Sequence, residues 1–447
     1  MRLPVNEVEK EIRASVAVDQ GRLLLKAPTG SGKSTAVPGM VRGECEGQVV
    51  VVQPRRMAAR LLAEFVAKQM GTLLGKGVGY AVRFDNQSGP ETEILFVTDG
   101  VLQRMLLDDP ELSGVGAVVF DEFHERRLSS DLSLARVLDL QESVRPDLRV
   151  VVMSATLETG GLKDYLEPCR LVEAGGRMFP VEICHRGEAQ VGRRGLNRHE
   201  EVWDRVAAAV KAEARELIAG DRILVFLPGM YEIQKSQSLL ENVAVLKGWE
   251  VCSLYSALSP TAQRSALKMD DSKRIILATN VAETSVTIEG VKVVVDSGLV
   301  RQSSYDVARG FDSLGVVKIS RAAADQRAGR AGRTGPGRCV RLWSKSDHRN
   351  RKEFETPEVR RVDLAEAILF LKRLGVNEIT GFRWLDQPEN ERRLDAEKLL
   401  TSLGALDSGG RLMEVGKKMA ALPLHPRLAA LVLQGGDCLG EVLFVAA

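Results

Sequence analysis

Two successive sets of short, β-branched runs govern what this chain can fold into. Residues 22–26, 49–53, 94–97, 117–120 and 150–153 form the first set, and 223–227, 250–254, 274–278, 292–296 and 338–342 the second. Stretches with helical apolar spacing separate them. Runs that are apolar on both faces and alternate with helices predict parallel sheets covered on both sides, so two tandem α/β domains are expected. The polar segment 186–201, with Gly187, Gly192 and Gly195, is the best linker candidate, the alternative being a boundary a few residues before it.

After about residue 347 the strand-like runs stop and the chain reads as helices. Leu364, Ile368 and Leu371 fall on one face, Leu399, Leu400 and Leu403 on another, and LDSGGRL at 406–412 reads as a tight hairpin. That pattern suits a small winged-helix module. The final run LGEVLFVAA is apolar and helical with nothing to pack on, which predicts a fragment of something longer. A length of 447 residues accommodates two or three domains.

With 44% hydrophobic and 27% charged residues, the composition excludes a disordered or collagenous chain. No stretch approaches the ~18 consecutive apolar residues of a membrane-spanning helix, and residues 1–20 alternate charges, so a cytoplasmic protein is expected. The six cysteines are dispersed, which predicts free thiols. Net charge is only +2, yet residues 301–352 hold thirteen Lys or Arg against four Asp. A belt of this kind points to phosphates; a solvated basic face is the competing reading.

APTGSGKST at 27–35 follows an expected strand and opens an expected helix. Gly30 and Gly32 let backbone N–H groups curl inward. The helix N-terminus adds positive potential, Lys33 reaches the β- and γ-phosphates, and Ser34 can ligate Mg²⁺. Thr29, Gly30, Ser31, Gly32, Lys33, Ser34 and Thr35 are therefore the candidate nucleotide cradle. DEFH at 121–124 ends another strand. Asp121 is assigned to the metal. Glu122, beside the same metal site, is assigned to the attacking water. In QRAGRAGRTGPG at 326–337, Arg327, Arg330 and Arg333 recur every three residues, so they are expected on one helix face, reaching across a cleft as arginine fingers.

These segments, together with QPRR, TDGVLQR, SAT, LVFLPG and ATNVAETSVTIEGV in this order, resemble the motifs of superfamily 2 helicases of the DEAH/RHA type. DEFH, the P-loop and LPLHPRL are most similar to that family's bacterial HrpB branch. The resemblance implies two RecA-like domains with parallel sheets, at 1–180 and 181–348. A winged helix at 349–422 and the start of a helical, ratchet-like domain at 423–447 would follow.

It also implies roles. Gln326 would sit on the lytic water and link to His124, and Arg330 and Arg333 would contact phosphates. Thr287 and Glu289 would lie near the ribose, and Ser154 and Thr156 would couple hydrolysis to domain movement. Arg55, Arg56, Thr98, Asp99, Gly100, Asn280 and Thr284 would track the nucleic-acid backbone. Phe65 stands where the family often has a base-stacking arginine, and Leu267 at the second base contact. Phe65 can stack in its own right, or can belong to an apolar helix face with Leu61 and Leu62.

The implied protein is a monomeric 3′ to 5′ helicase or translocase using ATP, or other nucleoside triphosphates, with Mg²⁺ on single-stranded RNA or DNA bearing a 3′ overhang. An activating protein is a further candidate partner. The alternatives are an RNP remodeller that does not separate strands and a nucleotide-switched binding scaffold. A small-molecule kinase leaves the second α/β set unexplained.

Overall fold

The computed structural model describes residues 3–435 apart from 156–158, 177–178, 187–200, 284–287 and 307–308. Thr156, Thr284, Thr287, Cys438, the apolar terminal run and most of the expected linker lie outside the described residues.

The first domain holds an eight-stranded sheet in the order Asp85–Gln87, Val78–Val82, Ile94–Thr98, Gln48–Gln53, Val115–Phe120, Arg149–Ser154, Arg22–Lys26, Arg170–Glu173. All neighbours are parallel except the first pair. Period-two alternation sends Leu24, Val50, Val52, Val118 and Val150 to one face and Leu23, Leu25, Val49, Val51 and Val151 to the other. Both faces are buried. Ile12, Val16, Val37, Met40, Ala59 and Ala63, from three helices, cover the second.

The second domain's sheet has six parallel strands in the order Trp249–Leu254, Lys273–Ala278, Arg222–Phe226, Val291–Asp296, Gly337–Arg341, Val181–His185. Its inner face gathers Leu224, Phe226, Ile276, Ala266 and Val281, and Met57 of the first domain joins that cluster. The ten strands expected from apolar runs are present. Strands 78–82, 85–87, 170–173 and 181–185 were not expected, nor was the antiparallel hairpin Leu299–Asp306 with Phe311–Lys318. Except for Val78–Val82, which is buried between two neighbours, these are edge or solvent-facing strands, and a partly exposed strand needs no continuous apolar run. Val181–His185 already belongs to the second sheet, so the chain changes sheets between Glu173 and Val181. The crossing thus precedes the polar segment 186–201.

Helices Ala365–Arg373, Asn390–Ser402, Glu414–Ala420 and Pro426–Gln434 build the third module. Its hairpin is real: Leu406 bridges Leu412, and Asp407 Oδ1 accepts from the N–H groups of Gly409 and Arg411, each at 2.9 Å. Ile368, Leu371, Phe382, Trp384 and Leu400 share one continuous core with Val118, Leu134 and Leu138 of the first domain. The winged helix is therefore packed on the first domain. Among the described residues no helix is long and apolar enough to cross a membrane, and the five described cysteines are free.

Candidate nucleotide site and nucleic-acid track

Parallel register brings the functional strand ends to one edge of the first sheet. Gln53 lies opposite Thr98, Val52 opposite Phe120, and Lys26 opposite Ser154, so the residues that follow each strand converge there. Between strand Arg22–Lys26 and helix Lys33–Arg42, Gly30 and Gly32 adopt φ of 87° and 88°, a left-handed conformation that a side chain disfavours. Among the described residues, the buried Ser31 Oγ has no hydrogen-bond partner, as suits a cradle shaped for a polar ligand.

Lys33 Nζ lies 3.4 Å from Glu122 Oε2, with both side chains only 3% exposed. Asp121 Oδ2 accepts from Gln53 Nε2 at 2.7 Å, and Ser34 also bonds this carboxylate. Burial, with Glu122 alongside, pushes Asp121 up to about 6. Burial also opposes the ionised form of Glu122, but the positive charge of Lys33, with Arg330 beyond it, outweighs it and holds this carboxyl below its ordinary value. Asp121 and the Ser34 hydroxyl are hard oxygen donors brought together beside the P-loop, which fits Mg²⁺. Glu122 lies on the lysine side.

The turn carrying these acids is strained. Glu122 has φ 52° and Arg126 φ 47°, on either side of the 3₁₀ turn Phe123–Glu125. Each non-glycine residue there costs about 1–2 kcal/mol. His124 is nearly buried. Its Nδ1 accepts from the Ala155 N–H at 3.4 Å and lies 3.5 Å from Glu122, which places the ring proton on Nε2. Burial lowers its pKa, so the ring is neutral.

The second domain supplies arginines, in a different arrangement from that expected. Helix Arg321–Ala328 ends before Arg330, which occupies a 3₁₀ turn, with Arg333 capping it. Arg327 turns inward to Asp296 and Glu283, each at 3.0 Å, and covers the Phe226 ring. It braces its own domain and is not a finger. Arg330 and Arg333 face the first domain: a Cβ on Gly30 would lie 3.8 Å from Arg333 Nε, and Glu122 supports the charge of both arginines. Burial, then mutual repulsion, drives Arg330 well down, and burial takes Arg333 to about 10. Two buried arginines that face a lysine and a P-loop from the other domain fit the phosphates of a nucleotide.

Three matched models follow the chain in order: "DEAD/DEAH box helicase" over residues 8–164, "Helicase conserved C-terminal domain" over 208–335, and "Helicase associated domain (HA2), winged-helix" over 396–424. The chain carries the domains of a DEAD/DEAH box helicase. It is 40% identical over 437 residues to the ATP-dependent RNA helicase HrpB of Escherichia coli (strain K12), a match covering 96% of this chain and 52% of that protein. The crystal structure of the Escherichia coli DEAH/RHA helicase HrpB superposes with a TM-score of 0.91 at 38% identity, covering 100% of this chain and 56% of the other. That of the E. coli DExH-box NTPase HrpB gives 0.85 at 38% identity, covering 100% and 54%. The chain thus spans about half the length of the relative it matches.

Placed on this helicase framework, the remaining expectations divide. His124 and Gln326 line one cavity of about 240 Å³ with Ser154, but among the described residues no hydrogen bond joins them. His124 is instead held by the backbone of the neighbouring strand end. Phe65 is 56% exposed, so it is not a core residue with Leu61 and Leu62. Glu289 is exposed in the turn before Val291–Asp296, close enough to support the charge of Arg222.

On the track, Arg56 and Gly100 are exposed and Thr98 is half-buried. The Asp99 side chain is not available to nucleic acid. It is buried, receives Ser130 Oγ and lies 3.7 Å from Arg127, and burial pushes it up to about 6. Arg55 is shared between Asn280 and Glu125. The basic belt also loses most of its free charge: Arg338 pairs with Glu182 and Glu213, Arg341 with Asp325, and Lys318 and Arg351 with Asp347.

Sequence reasoning missed Gln53, Glu125 and Glu283. Gln53 was legible as the polar end of a strand beside Asp121. Glu283, which accepts from Arg327 and through its carbonyl from Arg330 at 2.9 Å, had no local signal.

Proposed function

We propose that the chain is a nucleic-acid-stimulated nucleoside triphosphatase that uses ATP to move 3′ to 5′ on single-stranded RNA or DNA and displaces a paired strand. The observation that carries this reading is Arg330 and Arg333 of the second domain facing Lys33, Glu122 and the Gly30 turn of the first. Hydrolysis then requires the two domains to be closed.

The P-loop and Lys33 hold the phosphates of bound ATP. Ser34 and Asp121 are the residues that would hold Mg²⁺, which when bound neutralises phosphate charge. Glu122, ionised and held by Lys33, orients the attacking water and takes its proton. Neutral His124 and Gln326 border the same space. The two arginines offset charge on the transferred phosphoryl group, an effect of roughly 10³ to 10⁵ in rate where it is known. A nucleotide-switched scaffold has no use for Glu122 or trans arginines. The name of the E. coli relative favours RNA over DNA.

The test is ATP turnover with and without single-stranded RNA and DNA, followed by displacement from duplexes with 3′ or 5′ overhangs. Stimulation by RNA and displacement from 3′ overhangs are expected. Unstimulated turnover, or displacement from 5′ overhangs only, would refute the reading. Stimulation without displacement would identify a remodelling translocase.

A further inference from the structure

The strained DEFH turn is held from outside its own domain. Arg126, its left-handed terminal residue, pairs through Nη2 with Asp131 at 3.0 Å and with Asp386 of the third module. Its carbonyl accepts from the Glu358 N–H at 3.0 Å, and Glu358 Oε2 accepts from the Leu128 N–H at 3.0 Å. Both flanks of Arg126 are therefore fixed by residues lying after the second domain. Phe123, inside the turn, packs in the core that also contains Val359, Ile368 and Trp384.

The segment around Glu358 is tied to the second domain as well. Arg361 Nη1 donates to the Ser303 carbonyl at 2.6 Å, the Tyr305 N–H donates to the Arg361 carbonyl at 2.6 Å, and the Ser320 N–H donates to Glu355 at 2.7 Å. One strap thus touches the exposed hairpin, the start of the arginine helix, the winged-helix module and the turn that presents Glu122.

A left-handed residue persists only where its surroundings hold it. Arg126 and Glu122 bound the same short turn, so releasing one end frees the other to relax. We propose that Arg126 is a positioning residue for Glu122, and that Asp386 and Glu358 clamp it so that hydrolysis depends on the winged-helix module being seated on the first domain. This rests on the reading of Glu122 as the residue that activates water.

Replacing Arg126 would strand the buried Asp131, so the informative variant is Asp386→Asn, which keeps the Arg126–Asp131 pair. In the same chain, kcat for ATP should fall at least about fivefold with KM within about twofold and an unchanged melting temperature. Arg360→Ala, which removes the other partner of Asp386 at 2.8 Å, should keep wild-type kcat. Wild-type kcat in Asp386→Asn, or a kcat loss matched by a rise in KM and a lower melting temperature, would overturn the clamp. Glu122→Gln is measured alongside: if it keeps turnover, the underlying reading fails and the clamp with it.

Discussion

Arg55 Nη1 donates to Asn280 Oδ1 across the cleft at 3.1 Å while its Nη2 donates to Glu125 at 3.0 Å. One guanidinium therefore joins a strand end of the second domain to the acid beside His124. Burial opposes the charge on Glu125, but Arg55 and Arg127 hold it down to about 2. A lysine cannot span both partners with a planar fork. Arg55→Lys should lower RNA-stimulated turnover by roughly tenfold while ATP affinity stays near wild type, as read by nucleotide titration and stimulated kcat. Full stimulation in the variant would show that the bridge has no part in coupling.

Arg56 differs from its neighbour in being exposed. If it neutralises one phosphate of a single strand, Arg56→Ala should flatten the slope of log K against log salt by about 0.7 without changing sequence preference. Titrations of two unrelated strands at several salt concentrations measure both quantities. An unchanged slope would remove Arg56 from the track.

Lys33 and Glu122 are adjacent yet act at different stages. Lys33→Ala should abolish most nucleotide binding, because it contacts ground-state phosphates. Glu122→Gln should retain binding and lose turnover by about a hundredfold or more. Equal loss of affinity in both would show that Glu122 is a structural partner of Lys33 only.

Arg330→Ala and Arg333→Ala should each cut kcat by about a hundredfold or more with smaller effects on affinity, since they offset charge developed in the transition state. Removing either also relieves buried repulsion, so the melting temperature of the nucleotide-free protein should not fall in proportion. A matching collapse of stability would assign them to domain packing.

Asp99 and Asp131 are both pushed up to about 6 by burial. A carboxyl whose folded pKa exceeds its unfolded value binds its proton more tightly in the folded state. Its contribution is fully present below about pH 4 and is lost as pH rises through about 6. Asp99→Asn, which can still accept from Ser130, should raise stability at pH 7 by about 1–2 kcal/mol and change little at pH 4. Thermal unfolding across that range measures it. A loss at pH 7 would mean that the pairing with Arg127 outweighs the cost of burial.

What the sequence determined by itself is the local part of this protein. A strand running into APTGSGKST and then a helix can form only one kind of turn around Gly30 and Gly32, and the β-branched runs could be buried only in two-sided parallel sheets. The winged-helix hairpin around Asp407 was equally legible, since its bonds close within a few residues. The tertiary structure decided everything that depends on partners far along the chain. Periodicity put Arg327 with Arg330 and Arg333, yet Asp296 and Glu283 pull it into the domain. Asp99 sits in a motif that suggests the track, yet Ser130 and Arg127 bury it. Glu283 beneath the arginines and Asp386 on Arg126 had no signature at all, because a buried charge takes whichever countercharge the packing of distant elements brings within reach, and sequence spacing does not encode that distance.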